Sequence, residues 1–468
     1  MTRQTSTDQK ARQINLDDSK HGTFAEIGAG QEVARWFFHV GGAAGTVAKT
    51  ISAYDMAVSD SIYGHSDRYV SRARLESMLT QEFESLKQQL SGHRPAGTTF
   101  FVFGDTMATR SFSRKEDGHG WMGVRFQNES DSSPSEIILH VRMLDHENIR
   151  EQESIGVLGV NLLYGAFYSW ERPEELIASL IDELTHDRIE IDLIRFSGPC
   201  FSNLDNRLMI LQLVEQSFTG AVMFTSSGEV AQPAEVLYKK PVIVERGSFR
   251  PVTHLTIDMV KRARTVFDDN AARIDAEPVV LLEMTLKNLL EGDRLDSADF
   301  LARADVLSAM GYDVMITSYG PYFQLAKYLR RYTQSPVVFA LGVPVLTELF
   351  HPKYYAALPG GILDGCGQLF CGDVRLYVYP SKDPLTGTLL TMNDVKVDHP
   401  VRHLYQYLLE NGRIVALEGV DENQLHIFPK DVLGKIQSGN PLWESMVPEA
   451  AAKIIKSRGL FGYRKAVR

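Results

Sequence analysis

The chain has 468 residues, a formal net charge of −10 and a sequence pI near 5.8, with 44% hydrophobic and 23% charged residues. Those values exclude a mainly disordered or fibrous chain, and they argue against nucleic-acid binding as the main business, because neutralising phosphates needs a local basic excess. The length exceeds what one hydrophobic core organises, so two domains are expected. Cys200, Cys366 and Cys371 make neither a disulfide framework nor a zinc-spaced array, which fits a reducing, cytoplasmic compartment and predicts no metal ligands among them.

Residues 1–20 are polar, lack the apolar stretch of a secretory signal, and read as a mobile arm. Apolar residues at helical spacing predict helices over 31–60 and 68–89. The first carries Gly41-Gly42-Ala43-Ala44-Gly45, where each glycine costs helix stability by about 1 kcal/mol, so a break or a close-packed partner is expected there. Strands are predicted over 99–105, 121–127 and 136–143, the last two as an antiparallel hairpin with Arg125, His140 and Arg142 on one face. Paired guanidinium forks suit an anion, though such a face is ordinarily balanced by nearby acids. The most membrane-like run, 155–170, contains Asn161 and falls short of the roughly 20 apolar residues that span a bilayer, so it reads as a buried helix.

From Ile189 strands and helices alternate as in a parallel sheet. From Lys240 the rhythm is regular, with strands over 241–245, 278–284, 313–317, 337–341 and 375–379 separated by helices over 254–267, 298–310, 322–332 and 345–349. The fold class that follows is α/β in two domains. An N-terminal mixed α/β domain covers 21–235, a doubly wound, Rossmann-like parallel sheet covers 236–395, and a helical C-terminal extension over 396–468 packs on a neighbouring surface.

In an open parallel sheet ligands bind beyond the carboxyl ends of the strands. Those ends read Glu245-Arg246-Gly247-Ser248, Met284-Thr285, Thr317-Ser318-Tyr319-Gly320 and Leu341-Gly342-Val343-Pro344, rich in the small and hydroxyl residues that let a backbone approach phosphate. On this reading Arg246 and Arg303 clamp charge, His254 is the acid or charge stabiliser, and Gly247, Ser248, Thr253, Ser318, Tyr319 and Gly320 hold the ligand.

The run Gly247-Ser248-Phe249-Arg250-Pro251-Val252-Thr253-His254, after a strand and opening a helix, resembles the strand-end motif of the nucleotidyltransferases that include nicotinate-mononucleotide and phosphopantetheine adenylyltransferases. Gly247, Ser248, Phe249, Pro251, Val252 and Thr253 match. Arg250 stands in place of Asp, Leu255 in place of the helix-start Gly and Thr256 in place of the second His. The likeness covers about a dozen residues. Over its full length the chain, with segments such as His119-Gly120-Trp121 and Asp299-Phe300-Leu301-Ala302-Arg303, is similar to a bacterial family whose members are described as nicotinate-nucleotide adenylyltransferase-like. The resemblance implies a nucleotide or other phosphorylated metabolite as ligand, nucleotidyl transfer as chemistry, and Mg²⁺ if a nucleoside triphosphate is bound.

Smaller signals compete. Gly28-Ala29-Gly30 with Val33 in the third glycine's place is a partial dinucleotide fingerprint, and Lys49-Thr50 after Gly45 lacks P-loop spacing. Asp105 ends an apolar strand, a place for a cap or a catalytic carboxylate, and His39 and His351 read as structural. A second function class fits the same chain: a homo-oligomeric assembly protein with a non-catalytic Rossmann-like domain, joined through the glycine-rich run at 41–45 and the glycine-spaced helix over 155–167.

Overall fold

The computed structural model describes residues 5–110, 117–270, 276–291, 294–383 and 385–464. The chain divides into two compact units, Met1–Thr219 and Gly220–Arg468.

The first unit opens with helix α1 (Thr7–Asn15), begun by a capping box in which Ser6 accepts from the Gln9 amide and the Gln9 side chain accepts from the Ser6 amide. Lys10 is 1% exposed, and its ammonium donates to Asp182 Oδ2 at 2.5 Å and Asn161 Oδ1 at 2.8 Å. The expected mobile arm is therefore a docked helix over 7–15, held by a buried cation that has found its anion; residues 1–4 lie outside the described residues.

Strand β1 (Lys20–Gly28) leads through a tight turn into α2 (Val33–His39). Where one helix is predicted over 31–60, the chain instead turns at Gly41 and Gly42, both left-handed at φ +78° and +82°, and forms strand β2 (Val47–Ile51) and helix α3 (Met56–Tyr63). Then come α4 (Arg72–Leu90), β3 (Thr99–Ala108), β4 (His119–Phe126), β5 (Ser135–Met143), α5 (Asn148–Tyr168), α6 (Pro173–Ser179), β6 (Ile189–Ser197) and α7 (Asn206–Glu215). The six strands form one mixed sheet in the order β2-β1-β3-β4-β5-β6, with the first three parallel and the rest antiparallel.

Glycines in α5 bring it close to its neighbours. A Cβ at Gly159 would lie 2.3 Å from Val33, one at Gly156 would lie 2.8 Å from Trp36 Nε1, and one at Gly165 would lie 2.7 Å from Leu176. Of the two features that suggested an assembly interface, the glycine face of α5 packs on α2 and α6 within the unit, while the glycine run at 41–45 is an exposed turn.

The second unit holds β7 (Ala221–Phe224), β8 (Val230–Ala231), α8 (Pro233–Leu237), β9 (Val242–Arg246), α9 (His254–Asn270), β10 (Val279–Thr285), α10 (Ser297–Ala309), β11 (Asp313–Thr317), α11 (Tyr322–Leu329), β12 (Val337–Gly342), α12 (Val343–Leu349), α13 (Gly361–Leu369), β13 (Val374–Tyr379), α14 (Arg402–Glu410), β14 (Ile414–Ala416), α15 (Pro429–Gln437) and α16 (Glu449–Arg458). Its sheet runs β14-β13-β12-β9-β10-β11-β7-β8, with the first six strands parallel. From β9 the chain adds β10 and β11 on one side, then crosses back to add β12, β13 and β14 on the other. That is the doubly wound Rossmann order, 3-2-1-4-5-6 counted from β9. Val244, Leu281, Met315, Phe339 and Leu376 on one face pack on Leu325, Leu346, Leu369 and Leu408 of α11 to α14. Ile243, Val338, Ala340 and Tyr377 on the other face pack on Met259, Ala263 and Phe267 of α9.

Two expectations change. The alternation from Ile189 is not a parallel series: β6 pairs antiparallel with β5, while β7 pairs antiparallel with β11 of the second unit, so the units part at 219/220 rather than 235/236. The tail is not wholly helical, since β14 extends the sheet beside β13, and α16 lies on α10 through the ion pair Arg458–Asp305. Among the described residues no helix is long and apolar enough to cross a membrane.

Removing the ammonium of Lys10 strands two buried acceptors, so Lys10→Ala is expected to cost about 2 kcal/mol, discounted from a fully buried pair because Asp182 is partly exposed. Urea unfolding followed by tryptophan fluorescence measures it; an unchanged midpoint would mean that α1 contributes nothing to the unit.

Candidate functional site

The parallel order of the second unit creates a switch point between β9 and β12, where successive crossovers leave in opposite directions and a crevice opens beyond the strand ends. Gly247 and Ser248 leave β9 on one side of it, and Gly342 passes directly into α12 on the other.

The turn after β9 is firmly held. Phe249 takes a left-handed φ of +47° and is buried, Arg250-Pro251 is cis, and Val252 and Thr253 are fully buried. Arg303, 3% exposed on α10, donates to the carbonyls of Ser248 at 3.0 Å and Asn288 at 2.8 Å, and it pairs with Asp299. Asp299 also pairs with Arg250 at 2.6 Å, so one carboxylate ties both cations to the turn. Thr253 places its hydroxyl 3.4 Å from the Thr256 amide in the first turn of α9, and His254, half-buried at the start of that helix, is held below the usual imidazole pKa by burial and then by Lys261.

Arg246 is equally engaged. Its guanidinium binds both oxygens of Glu283 and donates to the carbonyls of Tyr319 at 3.0 Å and Gly320 at 2.6 Å, while lying 4.5 Å over the Tyr322 ring. Glu283, fully buried, also accepts from Thr317 Oγ1. Burial pushes the Glu283 carboxyl up while Arg246 opposes the shift.

The structure thus gathers Arg246, Gly247, Ser248, Thr253, Arg303, Tyr319 and Gly320 around the end of β9. The two arginines, however, staple backbone and carboxylate together instead of standing open as charge clamps. Ser318 is exposed at the end of β11, two strands from β9 and away from the switch point, and donates to the Gly220 carbonyl at 3.4 Å.

Sequence reasoning missed Glu245 and Glu283, whose signal is a lone carboxylate in an otherwise apolar strand. Glu245 is 6% exposed, one carboxyl oxygen has no hydrogen-bond partner, and the other lies 3.4 Å from where a Cβ on Gly247 would sit. Burial, with the Glu283 charge adding to it, pushes its pKa up to about 8, so the group is a neutral acid at pH 7, able to donate or accept beside the turn after β9.

In the first unit the partial fingerprint Gly28-Ala29-Gly30 does follow a strand and precede a helix, but the amides that would receive a phosphate are taken. Glu26, 4% exposed, accepts from the Val33 amide at 2.8 Å and the Ala34 amide at 3.2 Å. Burial raises Glu26 to about 7, and Asp105 beside it, fully buried without a hydrogen-bond partner, is pushed well up by burial and by the Glu26 charge. The shared face of Arg125, His140 and Arg142 is likewise closed to an anion. Arg125 pairs with Glu136 at 3.2 Å, Arg142 with Glu190 at 2.6 Å and Asp117 at 2.8 Å, and His140 Nδ1 meets Asp192 at 2.6 Å. These partners are the nearby acids that balance the face. His119, next in line from His140, is pushed down to about 4 by burial and by that second imidazole. Among the described residues no group of three or more His, Cys, Asp or Glu is placed to hold a metal ion.

No family model matches the chain, and no curated protein matches it. Among solved structures it is similar to the competence/damage inducible protein CihA from Agrobacterium tumefaciens, at 16% identity over 37% of this chain and 94% of that one with a TM-score of 0.24. A CinA superfamily protein from Escherichia coli matches at 11% identity over 38% and 93%, with a TM-score of 0.25. The nicotinic acid mononucleotide adenylyltransferase of Plasmodium falciparum, solved with NaAD, matches at 11% identity over 48% and 98%, with a TM-score of 0.29. At these values the likeness says nothing of substrate or reaction.

Two outcomes follow from the carboxylates. Arg246→Leu leaves Glu283 buried without its cation and is expected to cost about 3 kcal/mol in urea unfolding. Adding Glu283→Leu should restore most of that loss, and a double variant no better than the single would refute the pairing. Folded Glu245 keeps its proton to about pH 8 while the unfolded carboxyl releases it near 4.5. Folding therefore takes up a proton between those values, and the stability it lends below 4.5 is lost as pH rises through 8. The wild-type urea midpoint should fall between pH 5 and 8 more steeply than that of Glu245→Gln; parallel profiles would show that Glu245 is already charged at pH 5.

Proposed function

We propose that this chain binds a nucleotide or similar phosphorylated metabolite in the switch-point crevice of its second unit, between the ends of β9 and β12. The observation that carries the reading is the strand order about β9, which sets a switch point at the ends of β9 and β12, with Glu245, Gly247, Ser248 and Gly342 on the segments that meet there. Gly342 adds to it: a Cβ there would meet only Pro344, at 3.5 Å, so a ligand can approach that backbone closely.

Binding, not adenylyl transfer, is what the side chains support. The match to the nucleotidyltransferase motif extends to the turn but not to the helix start, where Leu255 and Thr256 replace the Gly and second His. Arg246 and Arg303 act as positioning residues that hold the strand ends and the turn. His254, its pKa lowered, meets the ligand as a neutral hydrogen-bonding group. Mg²⁺ enters only with a nucleoside triphosphate, carried by its phosphates.

Thermal unfolding of the full chain with ATP, NAD⁺ and nicotinate mononucleotide tests this. A ligand at 100 times its Kd stabilises by about 2.7 kcal/mol, a shift of a few degrees. Ser248→Phe and Gly342→Phe, on opposite sides of the crevice, should each weaken that response at least tenfold. No shift with any of the three at millimolar concentration, or shifts in both variants as large as in the wild type, would refute the reading.

A further inference from the structure

The first unit has a crevice of its own. Its three parallel strands end side by side, and beyond the carboxyl ends of β1, β2 and β3 lies a cavity of about 670 Å³. That is ample for a small-molecule ligand, whose pockets run from roughly 300 to 1,000 Å³. Its walls come from the end of β1 at Ile27, from Tyr54 and Met56 after β2, from the end of β3 at Thr106, and from Ser59 of α3, with Glu32 also among the lining residues.

Three observations define what fits. The first is charge. Glu32 carries the one formal charge among the described lining residues, none of which is Lys, Arg or His, and the α2 amides that might offset the missing cations are occupied by Glu26. Glu32 is itself paired with Arg35 at 2.9 Å, so the described lining holds no free cation that could neutralise an anionic ligand.

The second is an unsatisfied group. Ser59 of α3 lines the cavity at 1% exposure, and its hydroxyl has no hydrogen-bond partner. A buried hydroxyl without a partner is costly enough to be rare in folded proteins. The third is apolar surface left in water at the rim: Tyr54 is 75% exposed and Met56 62% exposed, though both line the same cavity.

We propose that this cavity is a second ligand site, distinct in chemistry from the crevice of the other unit, which takes a small molecule with a flat apolar body, a hydrogen-bonding group and no anionic group. The apolar body lies against Ile27, Tyr54 and Met56, and the polar group meets Ser59. Phosphate, sulfonate and carboxylate compounds find no lining cation and bind more weakly.

Two probes that share a ring system separate these requirements: N-phenyl-1-naphthylamine, which is neutral, and 8-anilino-1-naphthalenesulfonate, which adds a sulfonate. Titrated into the full chain and followed by fluorescence, the amine should saturate at one site and bind at least tenfold more tightly than the sulfonate. Ala29→Trp, which puts an indole at the half-exposed turn lining the cavity, should abolish amine binding. Tyr54→Ala, at an exposed rim position where folding is not at stake, should weaken it at least fivefold. Absence of saturable amine binding, a sulfonate that binds as tightly and is displaced by Ala29→Trp, or amine affinity unchanged in both variants would each overturn the proposal.

Discussion

A carboxylate taken out of water must find donors or give up its charge, and the strand ends of both units are organised around that requirement. Glu283 takes the first course, drawing Arg246 and Thr317 onto itself, and Arg246 in turn gathers the carbonyls that follow β11. Glu26 takes it too, filling the first turn of α2. Glu245 takes the second, kept protonated by burial and by a neighbouring negative charge, and the Asp105 carboxyl is pushed up by the same two causes. The cations and amides that look from sequence like the means of holding a phosphate are therefore largely committed to the protein's own acids.

That commitment separates positioning from recognition. Around β9 the arginines fix where the strand ends and the turn lie, so the proposed ligand would meet backbone, a serine hydroxyl and a neutral acid rather than a ring of positive charge. Preorganised dipoles of this kind hold a ligand by geometry more than by long-range attraction, which accords with a chain of net charge −10. The first unit, by contrast, has a cavity whose described lining mixes polar and apolar surface and holds a single carboxylate, Glu32.

Much of the second unit was legible in the sequence because each strand and helix there is short, regular and bounded by Gly, Ser or Pro. The turn from Gly247 to His254 was legible for the same reason. Which side of β9 receives β12 is a long-range choice that no local periodicity encodes, so the switch point emerged only from the fold. In the first unit β2 was hidden because its five residues alternate weakly and lie within a run of helical spacing; only the glycines at 41 and 42 signalled the break. Lys10 looked like part of a mobile arm because its partners, Asn161 and Asp182, are about 150 residues and more away. A separation of 52 residues hid the pairing of His140 with Asp192 in the same way. Apolar patterning marks what is buried, and it cannot say which polar residues will be buried together.

Gly159 has a reach that its place in the middle of α5 conceals. Because it has no side chain, α2 lies against α5 with Val33 filling the space where a methyl would be. Val33 is also the residue whose amide fixes Glu26, and the segment ahead of it, Gly28 to Glu32, walls the cavity at the end of β1. A single methyl at Gly159 would push α2 outward from behind and carry that wall with it. The width of the first unit's cavity is thus gauged by an atom that is missing on the far side of the helix, at a position no ligand could touch.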